Sequence, residues 1–218
     1  FLSAMGLADE FTVDMARMIT ERDDTEQILL KLTEQNAFVT RQSNGKYYRF
    51  HHMMKECAQR VFAEMDWEKQ QEYYKRYSIW YEGQKMYIHA LSANWKCRNY
   101  DGMLKVIIKD AGILLASLKP ADVLSCLEEC PVSKLKEYPL ALLVLMRSMF
   151  NWKQIPKMLE LKEMLIQSIQ EHPEWSQEEK GNLLGECDLI MSFLMYNDIS
   201  KMSQFHRNAS AQMSRPAI

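Results

Sequence analysis

Apolar residues in this chain recur mostly at helical spacing, and one short stretch departs from it. Phe11, Met15, Met18 and Ile19 predict a helix over residues 10–21. Asp23-Asp24-Thr25 interrupts it, and Asp24 reads as the N-cap of the next helix, with Gln27 as its box-like partner. Ile28, Leu29 and Leu32 form that helix's stripe, and Asn36 reads as its left-handed stop. The pattern then changes. Phe38–Arg41 and Tyr47–Phe50 are rich in strand-forming residues and flank Ser43-Asn44-Gly45, a hairpin signal. Helical spacing returns with Met54, Cys57, Ala58, Val61, Phe62 and Met65 on one side. The segment 26–62 thus reads as helix, hairpin and helix, the order of a winged helix.

Beyond Asp66 only helices are predicted, at about 67–82, 84–98, 100–110, 120–129, 139–151, 153–170, 176–196 and 198–213. The first carries an aromatic stripe of Trp67, Tyr73, Tyr74, Tyr77, Trp80 and Tyr81, which reads as helix packing. Pro120, Pro139 and Pro156 fall at helix starts, where proline is tolerated. The stretch Leu140–Phe150 is apolar nearly all round and predicts a fully buried helix. Residues 148–161 align with 192–205: Ser148 with Ser192, Trp152 with Tyr196, Ile155 with Ile199, Met158 with Met202. A fainter third copy sets Tyr100, Met103 and Val106 against Trp152, Ile155 and Met158. Two helices per unit at a period near 40 residues are the mark of an α-solenoid. The fold class is therefore mainly α: part of a winged helix with one β-hairpin (residues 1–65), then an α-solenoid of helix-turn-helix repeats (66–218).

Composition narrows the function. The 27 basic and 29 acidic residues leave a net charge of -2, which gives no general attraction to nucleic acid or anionic membranes. The run Leu140–Met146 is far shorter than the ~20 residues a membrane span needs. The N-terminal segment has no signal-peptide pattern, and both ends read as cuts within a longer protein. The five cysteines read as reduced thiols of a cytoplasmic protein. Cys126 and Cys130 share a helix face, but no His or further Cys stands at zinc-ligand spacing.

No Walker-type loop, H-E-x-x-H, G-x-S-x-G or C-x-x-C occurs, and the chain is read as non-catalytic. His51-His52, where the wing enters a helix, is the candidate contact. One of the two can face the core while the other meets a neighbouring domain or a phosphate at the helix N-terminus. The helix before the hairpin carries Glu26, Lys31 and Glu34, a poor complement to DNA phosphates, although Arg41, Lys46 and Arg49 add positive charge on the wing. A structural winged helix is favoured over a DNA reader.

These residues resemble the winged-helix part of MalT-type regulators, LuxR-family transcriptional activators with a STAND-class nucleotide switch. The resemblance rests on Phe1, Leu2, Leu7, Leu29, Leu32, Asn36, Phe38, Tyr47, Tyr48, Arg49, Phe50, His51 and His52. Met53-Met54 replace the family's Leu-Phe, and Tyr87, His89, Ala90 and Ala93 resemble the start of a TPR-like arm. The resemblance is specific over about residues 1–65 and diffuse beyond.

It implies a regulatory segment that transmits nucleotide and inducer state to DNA binding. ATP or ADP would be bound by a separate ATPase domain, with His51, or alternatively His52, reaching the nucleotide phosphate. The implied partners are the neighbouring ATPase and sensor domains, further copies in self-association, an inducer, and DNA through a domain outside these residues. An autonomous helical-repeat adaptor for proteins is the competing expectation.

Overall fold

A computed structural model describes residues 1–35, 38–42, 45–110 and 112–218. The expected helix stop at Asn36 and the Ser43-Asn44 portion of the turn lie outside the described residues. The chain divides into two compact units, Phe1–Asn99 and Tyr100–Ile218.

The first unit opens with α1 (Leu2–Met5), followed by α2 (Val13–Thr20) and α3 (Thr25–Glu34). Thr12 caps α2 by accepting from the Met15 amide at 3.1 Å. Asp24 stands at the N-cap position of α3, but its carboxylate does not cap it. Both its oxygens take the Arg22 guanidinium, at 2.9 and 2.8 Å. A bidentate charge-assisted pair outcompetes a single bond to a neutral amide.

Strands β1 (Val39–Arg41) and β2 (Tyr48–Phe50) pair antiparallel, Val39 opposite Phe50. Val39, Tyr48 and Phe50 point inward and the residues between them outward, as a half-buried ribbon requires. Phe11 adds an isolated antiparallel bridge at the edge of the ribbon, exchanging hydrogen bonds of 3.0 and 2.8 Å with Tyr48. Its ring meets Phe50 edge-on at 5.1 Å. The order α1, Phe11, α2, α3, β1, β2 is the winged-helix arrangement.

Helix α4 (His52–Ala63) leaves the wing and packs on α1. Only part of its expected apolar side is used. Ala58 and Phe62 are buried, whereas Cys57 is exposed and Val61 is 53% exposed. Ala58 meets Gly6 at the end of α1 and Phe62 packs edge-on against Tyr74 at 5.3 Å, so only a narrow stripe of residues four apart is covered.

Helices α5 (Trp67–Gly83) and α6 (Tyr87–Lys96) form a hairpin in the same unit. Tyr77 is buried and donates to the Ala4 carbonyl at 2.8 Å. Arg76 donates to the Ile19 carbonyl at 2.9 Å and pairs with Glu21 at 2.6 Å. The aromatic stripe therefore ties α5 to α1 and α2, and the winged-helix core continues into Tyr77 and Ala93.

The second unit contains α7 (Tyr100–Lys109), a 3-10 turn (Leu114–Ser117), α8 (Pro120–Glu129), α9 (Val132–Lys136), α10 (Pro139–Asn151) and α11 (Ile155–Glu171). It ends with α12 (Gln177–Ser192), a 3-10 turn (Phe193–Met195) and α13 (Ile199–Gln212). Pro120, Pro139 and Pro156 all stand in first turns, as expected. Ala141–Met146 are buried without a break, so the middle of α10 is enclosed as its composition predicts, while Arg147 keeps 39% of its side chain exposed and Asn151 is exposed. It pairs with α11, and α12 pairs with α13.

The repeat register needs one correction. Trp152 closes α10, but Tyr100, its counterpart in the faint third copy, begins α7. The backbone gives another alignment: Lys153-Gln154 matches Arg98-Asn99, three residues away from the side-chain match. Among the described residues, no helix is long and apolar enough to cross a membrane.

Candidate functional site

The junction between β2 and α4 is built by alternation. Phe50, the last strand residue, is 4% exposed and locked against Phe11. The next side chain must leave the core, so His51 is exposed. Its backbone amide donates to the Phe38 carbonyl at 2.7 Å, and its carbonyl accepts from Lys55 at 2.9 Å as α4 begins. The imidazole lies 5.9 Å from the Phe38 ring, inclined by 51°.

Phe38 is the unexpected member of this pair. It has φ of 57°, a left-handed conformation that is unusual for a bulky aromatic residue. Its ring is 55% exposed, so no deep burial offsets the strain. Sequence reading placed Phe38 in a strand, and its own identity carries no signal of positive φ.

His51 is also the N-cap of α4, and no side chain caps that end. No acidic residue stands in the first turn. The first-turn amides therefore present the positive end of the helix dipole beside an exposed imidazole, a combination suited to an anion such as a phosphate. His52 points elsewhere. Its side chain is 78% exposed and its Nε2 lies 3.3 Å from Glu56 one turn along α4. The two histidines thus occupy distinct settings, one beside Phe38 and the other beside a carboxylate.

The wing cations are engaged by the domain itself. Arg41 donates to the Gly45 carbonyl at 2.8 Å and covers the Tyr48 ring at 5.9 Å. Arg49 pairs with Glu10, which also accepts from Gln42 at 2.7 Å. The outer positions of α3 include Glu26, Leu30, Lys31 and Glu34, a mixed surface rather than a basic one.

The cysteines are free, and Cys126 and Cys130 are buried. Burial pushes their thiols up, to about 12 and about 11, which keeps them protonated. Among the described residues, no cluster of His, Cys, Asp or Glu is arranged to hold a metal ion.

Residues 1–71 match the family model of the MalT winged helix domain. The match covers α1 through α4, including Phe38 and the His51-His52 junction, and stops at the fifth residue of α5. No curated protein and no solved structure matches the chain.

Proposed function

We propose that this chain is the regulatory, signal-transmitting segment of an ATP-dependent, MalT-like regulator of the LuxR family and STAND class. The match over residues 1–71 supports a MalT-like origin. The observation that carries the reading further is His51, held outward by the buried Phe50 at an uncapped helix N-terminus. In this reading the imidazole and the first-turn amides of α4 meet a phosphate of ADP or ATP held by a separate ATPase domain. His52, beside Glu56, is the alternative contact.

Binding holds the winged helix against that domain, and release of the nucleotide contact frees it, a shift between two packings rather than catalysis. The helices after residue 66 serve as a TPR-like arm that carries the sensor's state. The neighbouring ATPase and sensor domains, further copies of the regulator, an inducer and, through another domain, promoter DNA are its partners in the cytoplasm.

The test uses the regulator that contains this chain together with its ATPase domain. H51A should speed release of a fluorescent ADP by about tenfold or more, the value of one charge-assisted hydrogen bond. An effect confined to H52A moves the role to His52, and no effect in either variant ends the proposal. Tight ATP binding by the 218-residue chain alone would also overturn it.

A protein-binding adaptor is favoured by one feature, the exposed Phe193, Tyr196 and Ile199 at the α12–α13 turn. Under that reading Y196K abolishes partner capture while nucleotide release in the regulator is unchanged.

A further inference from the structure

A cleft of about 440 Å³ opens in the first unit. Its walls come from the Asp9–Met15 segment, the wing residue Tyr47, and the close of α5 with the start of α6. That volume is in the range of pockets that enclose small ligands.

The chemistry of its walls is asymmetric. Trp80, Tyr81 and Tyr47 contribute aromatic surface, and Asp9 and Glu10 contribute carboxylates. No lysine or arginine is among the lining residues, and the one basic side chain there, His89, lies against the Tyr81 ring. The carboxylates are fixed from outside the cleft. Asp9 pairs through Oδ1 with Lys55, and Glu10 accepts through Oε1 from Arg49 and Gln42. Among the described residues, Asp9 Oδ2 and Glu10 Oε2 accept no hydrogen bond. The Lys55 hydrogen bond holds the Asp9 carboxyl below the usual carboxylate range, so it stays charged.

A second observation concerns the aromatic stripe of α5 itself. Three of its rings are covered by the protein's own cations. Arg98 lies 5.8 Å over Trp67, Arg76 lies 5.5 Å over Tyr73, and Lys96 lies 5.6 Å over Tyr74. Two rings of the stripe face the cleft. Tyr81 is flanked by the Tyr77 ring at 5.7 Å and the His89 imidazole at 5.0 Å, whereas Trp80 has no cation over it among the described residues. Trp80 is partly buried against the core, so its face is preorganised for a ligand.

We propose that this cleft binds a small organic cation, an ammonium group joined to an apolar body. The cation sits over Trp80 and near the outer oxygens of Asp9 and Glu10, with the edge of Tyr81 beside it. The apolar body contacts Leu7 and Met15. A substituted ammonium fits better than a bare one, because aromatic faces favour weakly hydrated cations.

The experiment titrates the whole 218-residue chain with benzyltrimethylammonium by calorimetry. Choline and its uncharged carbon isostere, dimethylbutanol, then separate charge from shape. Saturable one-to-one binding is expected, with choline at least about tenfold tighter than its isostere. W80L should weaken benzyltrimethylammonium by about tenfold, and D9N, at an exposed position that does not support the core, by severalfold. D9N carries the test if W80L does not fold. Absence of saturable binding, equal affinity for choline and its isostere, or unchanged affinity in folded variants would overturn the assignment.

Discussion

Gly6 and Ala58 mark the place where the start of the chain and the helix after the wing come closest. A Cβ on Gly6 would lie 2.5 Å from the Ala58 methyl. Neither group can rotate away, so the contact sets the spacing of α1 and α4. G6A should therefore lower the stability of the first unit by about 1–3 kcal/mol, an overpacking cost. Gly6 has helical φ of -63°, so the backbone itself accepts alanine. Adding A58G should recover most of the loss, less about 1 kcal/mol for a glycine within α4. Urea denaturation of the two single variants and the double variant checks this, and additive losses would contradict it.

Alkaline pH should unfold the first unit through its buried phenols. Burial pushes Tyr77 well above its ordinary value, and burial with the nearby Asp9 pushes Tyr81 up to about 12. In the unfolded chain both titrate near ~10. Between these limits the native state holds protons that the unfolded chain has lost. Their contribution to stability is therefore complete below about pH 10 and declines as pH rises through the folded values. The Cys97 thiol, also raised by burial, adds a smaller loss from about pH 8.5, so melting temperature should be level from neutrality to about pH 8.5, dip slightly, and fall steadily above about pH 10. Y77F should show a shallower alkaline fall. It should also cost about 1–2 kcal/mol at neutral pH, because the Ala4 carbonyl loses its donor. A melting temperature unchanged at pH 12 would refute the coupling.

Three helices end in the same turn, and none of the three uses glycine. Lys85, Arg98 and Lys153 have φ of 58°, 55° and 58°. After each, the next amide reaches back five residues, as Gln154 does to Met149 at 2.8 Å. K153G should stabilise the second unit by about 0.5–1 kcal/mol, since glycine adopts this conformation freely. R98G should be close to neutral, because it also removes the guanidinium over Trp67, worth about 0.5–1 kcal/mol. Equal gains at both sites would show that the Arg98–Trp67 contact contributes nothing.

The sequence made visible whatever repeats or punctuates. Alternation disclosed the wing, and Pro120, Pro139 and Pro156 disclosed helix starts to within a residue or two. Elements of four or five residues, such as α1 and α9, are too short to show a period. Phe11 contributes a single bridge, which no strand pattern announces. Side-chain similarity sets the third repeat three residues away from its backbone turn, because packing governs the one and φ the other. Gly181 and Gly185, four apart within α12, carry a signal of close helix packing in the sequence itself. A Cβ on Gly181 would meet the Gln212 carbonyl oxygen at 2.4 Å, which explains how α12 and α13 pack so closely. At the candidate site, the outward position of His51 follows from alternation, but the strain at Phe38 is a tertiary property.

Phe38 and His51 give the prediction that joins stability to switching. A left-handed non-glycine residue costs about 1–2 kcal/mol, and the Phe38 ring, being 55% exposed, repays little of it by burial. F38G should therefore raise stability by about 1 kcal/mol, whereas F38A keeps the strain and gains nothing. Both variants remove the ring that stands 5.9 Å from the imidazole. If that ring orients His51 toward a phosphate, both should speed nucleotide release in the regulator, F38G despite its greater stability. More stable yet less able to retain nucleotide is the pattern expected where strain serves a contact. Urea midpoints and nucleotide release rates for the two variants provide the check. A destabilised F38G, or release unaltered in both, would mean that Phe38 is held for packing alone.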